Sequence, residues 1–205
     1  MPRRLVVATT NAGKLREIRE LLGGLPIDLL TLRDLPPVEA PDETGASFEE
    51  NARLKAAFYA QQTPYPTVAE DSGLVIDALD GEPGIRSARY LSETTTYPER
   101  FAAIFSALDT RPARGRRARF VCALAVARGT GILFETTQTI EGEIAAAASG
   151  AEGFGYDPIF FFPPYGRTLA EVSRHEKLAV AHRGKAFRAL AAWLQQHPDV
   201  GIEPG

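Results

Sequence analysis

Three short segments and one loop carry most of the reactive side chains in this chain of 205 residues. Thr9-Thr10-Asn11-Ala12-Gly13-Lys14 falls between an apolar run and an amphipathic stretch. The first N–H groups of a helix have no internal partners and point at whatever sits above them, so such a turn suits a phosphate, with Lys14 adding a point charge. It is not a Walker A loop, which would need Gly at position 8 and Ser or Thr at position 15, where this chain has Ala8 and Leu15. The same residues also read as an ordinary Thr/Asn-capped helix start.

Asp42-Glu43-Thr44-Gly45 and Glu70-Asp71-Ser72-Gly73 supply hard oxygen ligands of the kind that Mg²⁺ shares with phosphates. Consecutive strand residues face opposite sides, which makes Asp71, at the end of its strand, a better ligand than Glu70. Acidic turns are the alternative reading. In Gly153-Phe154-Gly155-Tyr156-Asp157-Pro158 a ring lies between two glycines and beside a carboxylate, an arrangement suited to a flat heterocycle with polar edges. Stacking on an aromatic contributes about 1–3 kcal/mol for any base. A buried aromatic turn fits the loop as well. Lys177, His182 and Arg183 lie on or just before the last predicted helix, at a spacing that one regular helix cannot turn to one face. An irregular entry segment would bring them together, and a solvated polar face would not.

The elements that must position these residues read as α/β. Arg3–Thr9 is a β-branched run, and Ala12–Leu22 carries Leu15, Ile18 and Leu22 at helical spacing before Gly23-Gly24 stops it. Asp28–Leu32 is the next strand, followed by a Pro-rich acidic loop from Pro36 to Gly45. Ser47 and Glu50 form a capping box for a helix with Phe48, Ala52, Ala56 and Tyr59 on one face. Thr67–Glu70 and Leu74–Leu79 are strand-like around a turn at Asp71-Ser72-Gly73, and Pro98–Leu108 is helical. Arg117–Ala127 and Ile132–Ile140, joined by Arg128-Gly129-Thr130-Gly131, predict an antiparallel hairpin, with Glu141–Ala147 continuing strand-like. Ile159–Phe162 is a short strand, and a helix near Glu176–His197 buries Phe187, Leu190, Ala191 and Leu194. Arg111–Arg119 reads as a solvated basic loop. Together the elements predict a mixed sheet rather than a pure Rossmann fold or barrel.

Bulk properties bound the function. At 44% hydrophobic and 24% charged the chain can build a core, and residues 1–205 are expected to form a single domain, with two lobes around a cleft. A net charge of −3 argues against broad binding to nucleic acid or an anionic membrane and leaves room for a small anionic ligand. The single cysteine, Cys122, sits in an apolar run and is expected to be buried and inert. Met1-Pro2-Arg3-Arg4-Leu5 leads straight into a strand too short for a signal or membrane segment, so a cytoplasmic location is the default. His175, His182 and His197 lack metal-ligand spacing, which argues against zinc.

Taken together, these motifs closely resemble the ITPase-like family of nucleoside triphosphate pyrophosphatases. The resemblance runs from Leu5 to about Leu194 through Thr9–Lys14, Glu43-Thr44-Gly45, Phe48–Lys55, Asp71-Ser72-Gly73, Gly84–Tyr90, Arg119-Phe120, Gly153–Pro158 and Ala181-His182-Arg183-Gly184. It implies a mixed twisted sheet flanked by helices, with two lobes and a central substrate cleft. The implied activity is Mg²⁺-dependent house-cleaning hydrolysis of dITP, ITP and XTP to the monophosphate and pyrophosphate, which keeps these nucleotides out of DNA and RNA. By resemblance Thr9, Thr10, Asn11, Ala12, Gly13, Lys14 and Ser72 hold phosphates and sugar, with Lys55 supporting the phosphates. Phe154, Gly155, Tyr156, Asp157, Lys177, His182 and Arg183 surround the base. Glu43 and Asp71 serve the metal, and Asp71 is the proton acceptor. A homodimer is implied. Three positions depart from the family pattern: Glu70 where many members have Asp, Ala181 where Ser is frequent, and Arg86 in place of an aromatic. Two rivals make different demands. A non-catalytic nucleotide-binding regulator would lack the metal carboxylates, and an enzyme acting on modified pyrimidine nucleotides would need a smaller base pocket.

Overall fold

The computed structural model describes residues 3–201; Met1 and Pro2, the first two residues of the expected N-terminal entry, lie outside the described residues, as do 202–205. Seven strands form one sheet in the order β2-β1-β3-β4-β5-β6-β7. They are β1 (Arg3–Val7), β2 (Ile27–Thr31), β3 (Thr67–Ile76), β4 (Arg117–Arg128), β5 (Gly131–Ile144), β6 (Phe160–Phe162) and β7 (Arg167–Thr168). The helices are α1 (Ala12–Leu22), α2 (Phe48–Ala60), α3 (Tyr97–Asp109), α4 (Arg174–Val180) and α5 (His182–Gln196). β1 pairs in parallel with both β2 and β3, while β6 pairs antiparallel with β5 and β7, so the sheet is mixed as expected. The two-residue link Gly129-Thr130, with Gly129 at φ 55°, is the short connection that only antiparallel neighbours permit. Among the described residues no helix is long and apolar enough to cross a membrane.

Tertiary contacts divide the chain into two compact units. Of the described residues, the first comprises 3–71, 122–138 and 183–201, the second 72–121 and 139–182. The first unit buries Leu5 and Val7 of β1, Ile18 and Leu22 of α1, Leu124 and Val126 of β4, and Phe187, Leu190 and Leu194 of α5 in one cluster. The second has its own core of Leu74, Ile76, Phe101, Ile104, Phe120, Tyr156, Ile159 and Phe160. In each case period-2 and period-3.6 apolar patterns meet face to face, as layer packing requires.

The structure revises several expectations. Asp71-Ser72-Gly73 is not a turn but the middle of β3, which is almost wholly buried. Gly73 is needed there for close approach: a Cβ would collide with the Ser87 hydroxyl and the Gly84 carbonyl oxygen. The expected last helix is two helices, broken at Ala181, whose ψ of 155° is extended. The capping box at α2 is half formed. Ser47 Oγ accepts from Glu50 N at 3.2 Å, but the Glu50 carboxylate reaches back one residue further, accepting from Ala46 N at 2.7 Å. Nor is the basic stretch a free loop: Arg111 and Arg114 pair with Asp80, Arg119 pairs with Asp77, and Arg116 donates to the carbonyls of Ile144 and Ala145. A 3₁₀ segment at Gly84–Arg89 and the short strand β7 have no clear periodic signal.

Phe187 is 1% exposed in the core of the first unit. Phe187→Ala should lower unfolding free energy by about 3–5 kcal/mol, measured by urea denaturation, because an aromatic-sized cavity cannot fully collapse.

Candidate active site

In the first unit the turn after β1 is built by local hydrogen bonds. Asn11 caps α1, its Oδ1 accepting from Lys14 N at 3.0 Å, and Thr9 Oγ1 accepts from Asn11 N at 3.2 Å. Thr10, Asn11 and Ala12 are exposed, and Gly13 and Lys14 half-buried, which leaves the helix N-terminus open to an anion. A cavity of about 480 Å³ opens on Thr9, Thr10 and Ala12, and Arg16, Arg19 and Arg33 add positive charge to its wall.

β3 carries two carboxylates with separate partners, as strand alternation requires. Glu70, 4% exposed, accepts from Arg183 Nε at 2.9 and 3.1 Å and from the Cys122 thiol at 2.9 Å, with Lys14 Nζ at 3.4 Å. Burial alone would raise its pKa. The charges of Arg183 and Lys14 and the hydrogen bonds from Cys122 and Arg183 outweigh that and hold Glu70 well below the usual carboxylate range. Arg183 also donates from Nη1 to Glu17 Oε2 at 2.7 Å, and although burial opposes its charge, the two carboxylates push its pKa further up. Cys122 is buried as expected, yet it is hydrogen-bonded to a carboxylate rather than packed among apolar groups alone; burial and that neighbouring charge push its thiol pKa well up.

Asp71 is set differently. Its Oδ1 accepts from Lys55 Nζ at 2.9 Å, and the same ammonium donates to Glu43 Oε1 at 2.6 Å. Asn51, fully buried on α2, donates to Asp71 Oδ2 at 3.3 Å. Burial raises the Asp71 pKa, Lys55 pulls against it, and Glu43 adds to the rise, giving a carboxylate more basic than usual. Lys55 loses basicity to burial but regains more from Asp71 and Glu43.

In the second unit the loop Gly153–Asp157 closes on itself. Asp157 Oδ2 accepts from Phe154 N at 2.8 Å and from Lys177 Nζ at 2.6 Å, and Lys177 Nζ sits 4.6 Å from the centre of the Phe154 ring. Gly153 adopts φ 74°, where a Cβ would fall on the Asp157 carboxylate. Phe154 and Gly155 are half-buried. Tyr156 turns inward: it packs edge-on against Tyr97, its hydroxyl donates to the Ser87 carbonyl oxygen at 2.8 Å, and burial pushes its pKa up. His182 stacks on Phe120 with ring centres 4.8 Å apart.

Thus the structure gathers Lys14, Glu43, Lys55, Asp71 and Arg183 with the Thr9–Lys14 turn in one unit, and Phe154, Asp157 and Lys177 in the other. Ser72 follows Asp71 on β3 as a half-buried residue. Pattern reading passes over Asn51 and Glu17. The signal for Asn51 is visible afterwards: it stands three residues after Phe48, a polar side chain on an otherwise apolar helix stripe. Glu17 carries no comparable signal, because its partner lies 166 residues away.

Could this geometry hold a divalent cation? Glu43 and Asp71 converge on one point of positive charge, now the Lys55 ammonium, and both offer the hard oxygens that Mg²⁺ prefers. Among the described residues no three His, Cys, Asp or Glu side chains group to hold a metal alone. Two carboxylates completed by substrate phosphates fit the usual Mg²⁺ set.

An open, Asn-capped helix start and a buried acid–lysine cluster on a mixed α/β sheet together suit a substrate that carries phosphate groups. Residues 5–193 match the Ham1 family, and the chain belongs to it. A relative from Geobacter sulfurreducens, named dITP/XTP pyrophosphatase, is 46% identical over 91% of this chain and 94% of its own. One of the same name from Exiguobacterium sibiricum is 42% identical over 93% and 96%. The solved HAM1 protein of Coxiella burnetii superposes with a TM-score of 0.85 at 39% identity, covering 95% of this chain and 99% of its own.

Glu70→Gln should lower stability at pH 7 by about 3–5 kcal/mol, since it removes one partner of a buried ion pair. The folded-state pKa of Glu70 is depressed, so its contribution is complete above the unfolded value of 4.5 and is lost as pH falls from there toward the folded one. The gap between wild type and Glu70→Gln, measured by denaturant titration, should therefore narrow below about pH 4.5.

Proposed function

We propose that this protein hydrolyses the nonstandard purine nucleoside triphosphates dITP, ITP and XTP to the monophosphate and pyrophosphate, removing them before they enter DNA or RNA. The observation that carries this reading is the convergence of Glu43 and Asp71 on Lys55, with Asp71 made more basic than an ordinary carboxylate. The dITP/XTP pyrophosphatase name carried by relatives that match over nine-tenths of the chain supports the substrate class.

In this reading the chain works as a single domain. Asp71 takes the proton of the water that attacks the α-phosphorus. Lys14, Lys55 and the N–H groups at the start of α1, with Thr9, Thr10, Asn11, Ala12 and Gly13, hold the phosphates and stabilise charge on the departing pyrophosphate; Ser72 assists at the phosphates and sugar. Glu43 and Asp71 would hold Mg²⁺, which when bound supplies phosphate neutralisation and water activation. Phe154 stacks on the base, within a loop completed by Gly155, Tyr156 and Asp157. Lys177, His182 and Arg183 serve its edges, with Arg183 donating to a 6-oxo group. Held charged by Glu70 and Glu17, Arg183 can only donate, so the 6-amino group of adenine would set donor against donor. In this reading the protein works in the cytoplasm, and as a homodimer by its resemblance to the family.

Two experiments test the chemistry. Hydrolysis of dITP in ¹⁸O-water with Mg²⁺ should label the monophosphate and release unlabelled pyrophosphate; label in pyrophosphate, or orthophosphate released instead, would exclude attack at the α-phosphorus. Asp71→Asn keeps the shape and loses the acceptor, so its kcat should fall at least about 10²-fold. Near-normal turnover would move the base role to another group.

A further inference from the structure

Asn51 lies on α2 between Phe48 and Ala52, with 0% of its surface exposed. A primary amide so placed must be matched at both ends, because an unsatisfied buried polar group is costly. Its Oδ1 accepts from the Gly45 N–H at 2.8 Å, and its Nδ2 donates to Asp71 Oδ2 at 3.3 Å. The neighbours fix the orientation: a flipped amide would set N–H against N–H at Gly45 and oxygen against carboxylate at Asp71. The approach to Gly45 is close enough that a Cβ there would stand 2.7 Å from Asn51 Oδ1 and 2.9 Å from Asn51 N.

Two clamps therefore join the Glu43–Gly45 segment to Asp71. One is the Lys55 ammonium, which bridges Glu43 Oε1 and Asp71 Oδ1. The other is Asn51. They differ in mobility. Lys55 stands on a flexible four-carbon stem and can redirect its charge toward an arriving phosphate. The Asn51 amide is short, neutral and enclosed, and has nowhere else to turn. We infer that Asn51 is a positioning residue that anchors Asp71 Oδ2 and the Glu43–Gly45 segment together, so that Asp71 Oδ1 keeps its aim when Lys55 moves. The inference rests on the hydrolytic reading above for its effect on turnover, and on geometry alone for the clamp.

Asn51→Asp keeps the shape and the bond to Gly45 but faces Asp71 with a second carboxylate. The expected result is a fall in kcat for dITP of about 10²-fold, the loss that a misplaced catalytic group produces, with KM nearly unchanged. The reversed pair, Asn51→Asp with Asp71→Asn, restores one donor and one acceptor in swapped positions. It should regain the melting temperature lost in Asn51→Asp, and slow hydrogen exchange at the Gly45 amide, while its activity stays at the level of Asp71→Asn alone. Unchanged kcat in Asn51→Asp, a loss that falls wholly on KM, or a reversed pair no more stable than the single variant would overturn the inference. If Asn51→Asp does not fold, the reversed pair must fold with a protected Gly45 amide, and its failure would count against the clamp. A wild-type enzyme inactive on dITP would overturn the functional reading instead, and the stability comparison would still decide the clamp.

Discussion

The burial of Arg183 between two carboxylates is the constraint on which the first unit depends. A guanidinium removed from water loses several kcal/mol of hydration, and only close, well-aligned partners can offset that. Glu17 supplies one from α1 and Glu70 the other from β3, while the arginine itself is the second residue of α5. Three elements are thereby tied at one charged point beneath an otherwise apolar layer. Lys14 completes the set from the first turn of α1, so the turn proposed to cradle phosphate is anchored to the same node. Neutralising Glu17, Glu70 or Arg183 leaves the buried group with an unbalanced charge in the interior.

The second unit solves a related problem with fewer groups. Asp157 and Lys177 are nearly inaccessible, at 2% and 3% exposed, and lie 2.6 Å apart. The carboxylate also satisfies the backbone N–H of Phe154, which fixes a loop that Gly153 allows to turn through φ 74°. Phe154 is thus held by its own backbone and by the cation over its face, a preorganisation that lowers the entropy lost when a flat ligand binds. Tyr156 is the loop's root in the core rather than part of its open surface.

Much of this was legible in the amino-acid sequence, and the remainder was not for definable reasons. Leu15, Ile18 and Leu22 announce α1 because helical periodicity is a local property. The Thr9–Lys14 turn, the acidic pairs and the aromatic loop are short motifs whose chemistry is visible in their side-chain types. Asp71-Ser72-Gly73 misleads because small polar residues around a glycine signal a turn, whereas here Gly73 serves close packing against Ser87. The break at Ala181 is hidden because alanine is the best helix former, so its residue type gives no sign of the extended backbone that separates α4 from α5. The role of Arg183 is the deepest case. Its residue type points to a ligand, but its partners on α1 and β3 lie more than a hundred positions away, and only the folded chain shows that at least two of its nitrogens are already engaged.

The thiol of Cys122 has a practical consequence. It is the sole sulfhydryl of the chain, wholly enclosed, and kept protonated by burial and by the carboxylate it faces. An electrophilic dye requires thiolate and access, and the native fold denies it both. Alkylation of the unmodified protein therefore reports, without any engineered label, how often the charged floor beneath the Thr9–Lys14 turn opens to solvent.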